Sequence, residues 1–260
     1  MKWKIACIQM DIAFGQPDIN YQHAEQWVEK AVNAAADIVI LPELWTTGYD
    51  LTRLNEIGDV EAEKTIGFIK NMARKHQIHI VGGSIAKKTH KGIYNTMIII
   101  DKNGNLVKEY DKLHLFQLMD EHHFLQPGEN DGLFTLDDKI CAGFICYDIR
   151  FPEWQRAHSA RGAEVLFVTA EWPKPRLDHW RSLLISRAIE NQAYVVAVNR
   201  SGSDVNNVFA GHSMIIDPWG RIVSEAGEES ELLTGTLDFT EVSSARSKIP
   251  VFEDRRPDYY

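Results

Sequence analysis

At 260 residues, 44% of them apolar, the chain is long enough to bury a substantial core and is read as one domain over 1–260, with no linker, repeat or low-complexity segment to divide it. A formal charge of −9, from 28 basic against 37 acidic residues, argues against a nucleic-acid groove or an anionic membrane surface as the partner. Three cysteines, Cys7, Cys141 and Cys146, are too few and too odd for a disulfide framework and fit a reducing compartment. No apolar run approaches the roughly 20 residues of a membrane helix, so the expectation is a cytoplasmic protein with no membrane or nucleic-acid partner.

The N-terminal segment is interrupted by Gln9, Asp11 and Gln16 before a signal-peptide core could form, and reads as a first strand over Lys4–Met10. Ala24, Trp27, Val28, Ala31, Val32 and Ala35 then recur at helical spacing, and Ile66, Ile69, Met72 and Ala73 do the same after a strand at Ile38–Leu41. Further strand-like runs follow at Ile78–Ser84, Thr96–Ile100, Leu106–Tyr110, Ile140–Ile145, Val165–Thr169, Tyr194–Val198, Ser213–Ile216 and Ile222–Ser224, with a third helix at about Leu177–Gln192. Several runs are apolar throughout, which requires cover on both faces. Hairpin signals at Asn103–Gly104 and Pro218–Gly220 add antiparallel pairs to the early strand–helix alternation, giving an α/β layered fold with a mixed sheet arrangement.

Three polar residues stand where an apolar strand becomes a loop. Glu43 follows IVILP, Lys112 follows LVKEY, and Cys146 follows KICAGFI and precedes a helix that Pro152 is suited to begin. Sites in open α/β sheets gather outside the carboxyl ends of strands. A thiol needs a base or cation to become nucleophilic, which Glu43 can supply, helped by a helix start beyond it. Attack on a carbonyl develops negative charge on oxygen, which the Lys112 ammonium is suited to stabilise. Taken singly, each has a bland reading: a packed core thiol, a turn carboxylate, a solvated surface lysine. Their joint placement after three apolar strands argues for a site.

The segments LPELWTTGYD, YDKLHLF and GFICYDIRFPEW resemble, in order and spacing, the glutamate, lysine and cysteine motifs of the nitrilase superfamily of carbon–nitrogen hydrolases. AEWPKPRLDHW with SRAIENQAYVVAVNR is similar to its ω-amidase branch, and the overall run to bacterial members of that branch associated with methionine salvage. The resemblance implies a four-layer α-β-β-α sandwich and a homodimer formed through helices near 151–161 and 177–192. It implies hydrolysis of a small ω-amide such as 2-oxoglutaramate through a Cys146 thioester, with Glu43 as general base and Lys112 and the Tyr147 N–H at the oxyanion. Glu121 matches a second glutamate that orients Lys112 or the substrate; its alternative is a loop surface charge. Arg150 aligns near an arginine that holds substrate carboxylates, the alternative being an ion pair with Glu153 or Asp148; Trp172 would wall the pocket, or be a core aromatic. Rival substrates are an N-carbamoyl amino acid or a nitrile, and the rival from another class is a catalytically silent interaction module.

Other signals lead elsewhere only weakly. His114, His122 and His123 match no zinc spacing, so no metal or other cofactor is expected. Gly82–Gly83 lacks a phosphate-binding pattern, GHS at 211–213 is not a serine-hydrolase elbow, and Asn199 reads as the start of a loop.

Overall fold

The computed structural model describes residues 1–259. In chain order they form β1 (Lys2–Gln9), α1 (Pro17–Asn33), β2 (Ile38–Ile40), α2 (Leu54–Ile57), β3 (Asp59–Val60), α3 (Glu63–His76), β4 (His79–Thr89), β5 (Gly92–Ile100) and β6 (Leu106–Asp111). There follow α4 (Glu121–Phe124), β7 (Leu133–Leu136), β8 (Lys139–Ile145), α5 (Pro152–Ser159), β9 (Val165–Ala170), α6 (Leu177–Asn191), β10 (Tyr194–Asn199), β11 (Met214–Ile216), β12 (Ile222–Glu225), β13 (Glu231–Asp238) and α7 (Phe239–Lys248). The apolar runs become strands as expected, whereas β13 and α7 carry too much polar sequence to have been read as buried elements, and β7, LFTL, is only four residues long.

The first sheet runs β13-β1-β2-β4-β5-β6 with β3 beside β4, and the second runs β12-β11-β10-β9-β8-β7. Each has three parallel strands at its centre, β1, β2 and β4 in one and β8, β9 and β10 in the other, flanked by antiparallel neighbours. Strand periodicity divides their side chains between two layers. Ile5, Cys7, Val81, Met97 and Ile99 point between the sheets, while Ala6, Ile8, Ile80, Ile98 and Ile100 pack on Ala24 and Val28 of α1 and Ile69 and Met72 of α3. The sheets approach so closely that a Cβ on Gly143 would lie 2.6 Å from the Met97 sulfur. On the far side Trp180, Leu184 and Ala188 of α6 join the same core as β9 and β10. The result is an α-β-β-α sandwich.

Both hairpins have a physical cause in sequence. Asp101 accepts from the Asn103 and Asn105 N–H groups at 2.9 and 2.8 Å, and Asp217 accepts from Trp219 and Arg221 at 2.8 and 3.0 Å. Gly104 and Gly220 close the turns at φ +79° and +81°, a region that favours glycine.

Candidate active site

Glu43, Lys112 and Cys146 leave the ends of β2, β6 and β8 and converge. The end of β2 is shaped by Pro42, after which Ser84 ties the loop down: its N–H donates to the Pro42 carbonyl at 3.1 Å and its hydroxyl accepts from Leu44 N–H at 3.0 Å. Gly83 permits this approach, since at its φ of +59° a Cβ would meet the Pro42 oxygen at 2.1 Å. The Gly82–Gly83 pair therefore serves a close backbone approach.

The Glu43 carboxylate receives four donors. Its Oε1 accepts from Lys112 Nζ (2.8 Å), Asn95 Nδ2 (2.8 Å) and the Tyr49 hydroxyl (3.1 Å), and its Oε2 from the Glu171 N–H (2.8 Å). Lys112 Nζ also reaches Glu121 Oε1 at 2.6 Å, and Glu121 is fixed in turn by the Tyr49 hydroxyl (2.5 Å) and the Phe116 N–H (2.7 Å). Glu43, Lys112 and Glu121 are all wholly buried. Glu121 is thus no surface charge; it sits at the start of α4 and is the second counter-ion of the lysine. Burial alone would lower the Lys112 pKa, but the carboxylates of Glu121 and then Glu43 drive it well above the ordinary lysine value. Burial raises the Glu121 carboxyl, with Lys112 opposing.

Cys146 opens a 3₁₀ turn, Cys146–Arg150, with a φ of +45°, a left-handed conformation unusual for a side chain with a Cβ. Asp148 holds this corner: its Oδ2 accepts from the Ile145 N–H (3.0 Å) and Tyr110 hydroxyl (2.7 Å), and its Oδ1 from the His114 N–H (3.1 Å). Burial, followed by the Glu43 charge, pushes the Cys146 thiol well above its ordinary value, with Lys112 only partly opposing. Desolvation disfavours the charged form of the sulfur, and Glu43 stands beside the thiol as an acceptor for its proton.

Phe116, Met119, Cys146, Tyr147, Arg150, Trp172, Pro173 and Arg176 line a narrow cleft at the thiol. Trp172 is nearly buried and forms this wall, its backbone N–H held by Asn199 Oδ1 at 2.6 Å and its indole N–H donating to the Arg176 carbonyl at 2.7 Å. Asn199 is accordingly the buried last residue of β10. Arg150 makes neither of the ion pairs weighed from sequence, because Asp148 is consumed by the corner; its guanidinium lies 4.6 Å from the Trp172 ring centroid and 3.4 Å from His179 Nδ1. Sequence reasoning missed Tyr49, Asn95, Glu171 and Arg176. Tyr49 lies inside the quoted glutamate motif, so its place beside Glu43 was the most accessible of the four. Among the described residues no cluster of His, Cys, Asp and Glu is disposed to hold a metal ion, and His114 instead stacks on Phe151 with centroids 3.7 Å apart.

A buried carboxylate–ammonium–thiol set at the strand ends of an α-β-β-α sandwich defines a class, and the sequence agrees: residues 4–247 match the carbon-nitrogen hydrolase family model, and the chain belongs to that family. It is 54% identical over 260 residues to a 2-oxoglutaramate amidase of Bacillus subtilis (strain 168), covering all of both chains. It is 30% identical over 273 residues to omega-amidase NIT2 of Homo sapiens, covering 99% of this chain and 96% of that one. Among solved structures, Nit3 of Saccharomyces cerevisiae, a member of branch 10 of the nitrilase superfamily, superposes with a TM-score of 0.92 at 30% identity over 98% of this chain and 97% of that one. The chain is a carbon–nitrogen hydrolase with the nitrilase-superfamily sandwich.

Proposed function

We propose that the chain hydrolyses 2-oxoglutaramate, or a similarly small ω-amide of a 2-oxo dicarboxylic acid, to the acid and ammonia. The observation that carries the substrate is the 54% identity, across both full lengths, to the 2-oxoglutaramate amidase. We assign Cys146 as nucleophile, Glu43 as general acid and base, Lys112 as oxyanion stabiliser with the Tyr147 N–H, and Glu121 as the residue that positions Lys112. We propose a single catalytic domain spanning 1–260, acting as a cytoplasmic homodimer.

The chemistry follows from the contacts. As the Cys146 sulfur bonds to the amide carbon, its proton passes to Glu43 and the carbonyl oxygen becomes an oxyanion beside the Lys112 ammonium. Collapse breaks the carbon–nitrogen bond, Glu43 returns the proton to the departing amine as ammonia, and a thioester remains. Water, deprotonated by Glu43, attacks the thioester; the second oxyanion collapses, the acid leaves and sulfur regains its proton. Two carboxylates on one ammonium leave the cluster net negative, so a single developing negative charge is stabilised by Lys112 only if its Nζ turns part of its hydrogen bonding toward the substrate.

Ammonia release measured against 2-oxoglutaramate, an N-carbamoyl amino acid and an aliphatic nitrile tests the reading. The largest kcat/KM is expected for 2-oxoglutaramate; a larger value for either rival overturns the substrate, and no turnover together with no acyl adduct on Cys146 by intact mass overturns the mechanism.

A further inference from the structure

The cleft carries two guanidiniums that no carboxylate among the described residues pairs with. Six other arginines, Arg53, Arg161, Arg181, Arg187, Arg200 and Arg221, reach Asp or Glu side chains, and Arg74, Arg156 and Arg246 donate to backbone carbonyls. Arg150 has only His179 Nδ1 at 3.4 Å, and the side chain of Arg176 has no hydrogen-bond acceptor among the described residues. In a chain of net charge −9 this leaves two adjacent cations beside one thiol. Each is laid on an aromatic wall, Arg150 at 4.6 Å from the Trp172 centroid and Arg176 at 5.4 Å from that of Phe116. Such stacking orients a planar guanidinium while leaving its edge N–H donors free for an acceptor. Their mutual repulsion also lowers the Arg150 pKa, after burial, which an anionic ligand would relieve.

Resting on the substrate reading above, with Arg150 at the substrate carboxylate as the resemblance implies, we infer that Arg176 adds a second guanidinium to the 2-oxo acid end of the substrate and is a specificity determinant against 2-amino analogues. A 2-oxo acid offers only acceptors there, a carboxylate and the adjacent carbonyl oxygen, which match two forks of donors. Glutamine has the same amide, chain length and carboxylate but an ammonium at C2. That group brings donors and a third positive charge to a site that already holds two, so the arrangement repels it as well as failing to bind it. Glutaramate, with neither substituent, lacks only the acceptor.

The test compares kcat/KM for 2-oxoglutaramate, glutaramate and glutamine in the wild type, Arg176→Gln and Arg176→Lys, with circular dichroism as the folding control. The Trp172 indole bonds the Arg176 backbone carbonyl, so that wall contact survives side-chain replacement. Arg176→Gln is expected to lower kcat/KM for 2-oxoglutaramate about 10- to 100-fold through KM, the range of one charge-assisted hydrogen bond, and to narrow its preference over glutamine at least about 10-fold. Arg176→Lys, which keeps the charge without the fork, is expected to retain the exclusion of glutamine and recover part of the binding. A wild type that prefers 2-oxoglutaramate while Arg176→Gln leaves KM and preference within about twofold overturns the role of Arg176 alone. A wild type that turns over none of the three, or favours glutamine, overturns the substrate reading and that role with it.

Discussion

The inner and outer halves of the site are built on opposite rules. Around Lys112 one ammonium is shared between the carboxylates of Glu43 and Glu121, and Tyr49 and Asn95 add further donors to them. At the cleft, Arg150 and Arg176 are half-exposed and have no carboxylate partner among the described residues. The inner set is complete before any ligand arrives, so its geometry is set by the protein; the outer set is completed only by an anion. Reaction type and substrate choice are thereby separable in this fold, and a change at the mouth should alter the second without the first.

Substitutions can break that contrast. Cys146→Ala should abolish ammonia release and acyl-adduct formation altogether, detected by intact mass. Lys112→Met should lower kcat by two to three orders of magnitude, following the loss of roughly 3–4 kcal/mol of oxyanion stabilisation. It should also lower the melting temperature, because two buried carboxylates then lose their only cation; near-normal turnover would remove Lys112 from the chemistry. Tyr49→Phe deletes the hydroxyl shared by Glu43 and Glu121 and should cost about 1–3 kcal/mol in urea unfolding, with a smaller fall in kcat.

A pH-dependent effect concerns Glu171, whose N–H supports Glu43 while its carboxylate meets Arg200 at 2.6 Å. Burial pushes this carboxyl from 4.5 up to about 8, with Arg200 opposing. A raised folded pKa means that its contribution is fully present below the unfolded value and is lost as pH rises through about 8, at no more than about 1.4 kcal/mol per pH unit. Glu171→Gln should therefore flatten the decline of stability between about pH 5 and 8; parallel curves for the two proteins would show the ion pair ionised throughout.

Much of this was legible in the chain. Strands such as IVI and VLFVTA announce themselves because both faces are covered, and the residues that follow them lie at the site. β13, ELLTGTLD, alternates only loosely and lies half-exposed at the sheet edge beside β1, so its pairing is decided by tertiary contact. α7 is polar over most of its length, anchored by Phe239, Val242 and Ala245 with Asp238 as its cap. The network around Glu43 was illegible for another reason: Tyr49, Asn95 and Glu171 come from three separated segments, and hydrogen-bond partners carry no periodicity.

The left-handed backbone at Cys146 has a bearing on how such a chain can change. Glycine is the residue that adopts φ +45° most easily, so the position proposed to carry the nucleophilic sulfur is one where a smaller, inert residue would relax the main chain. Cys146→Gly should then unfold at a higher temperature than Cys146→Ala, and descendants of this fold could drift into stable, silent scaffolds by a single substitution, leaving the ammonium and its two carboxylates behind as a trace of the lost reaction.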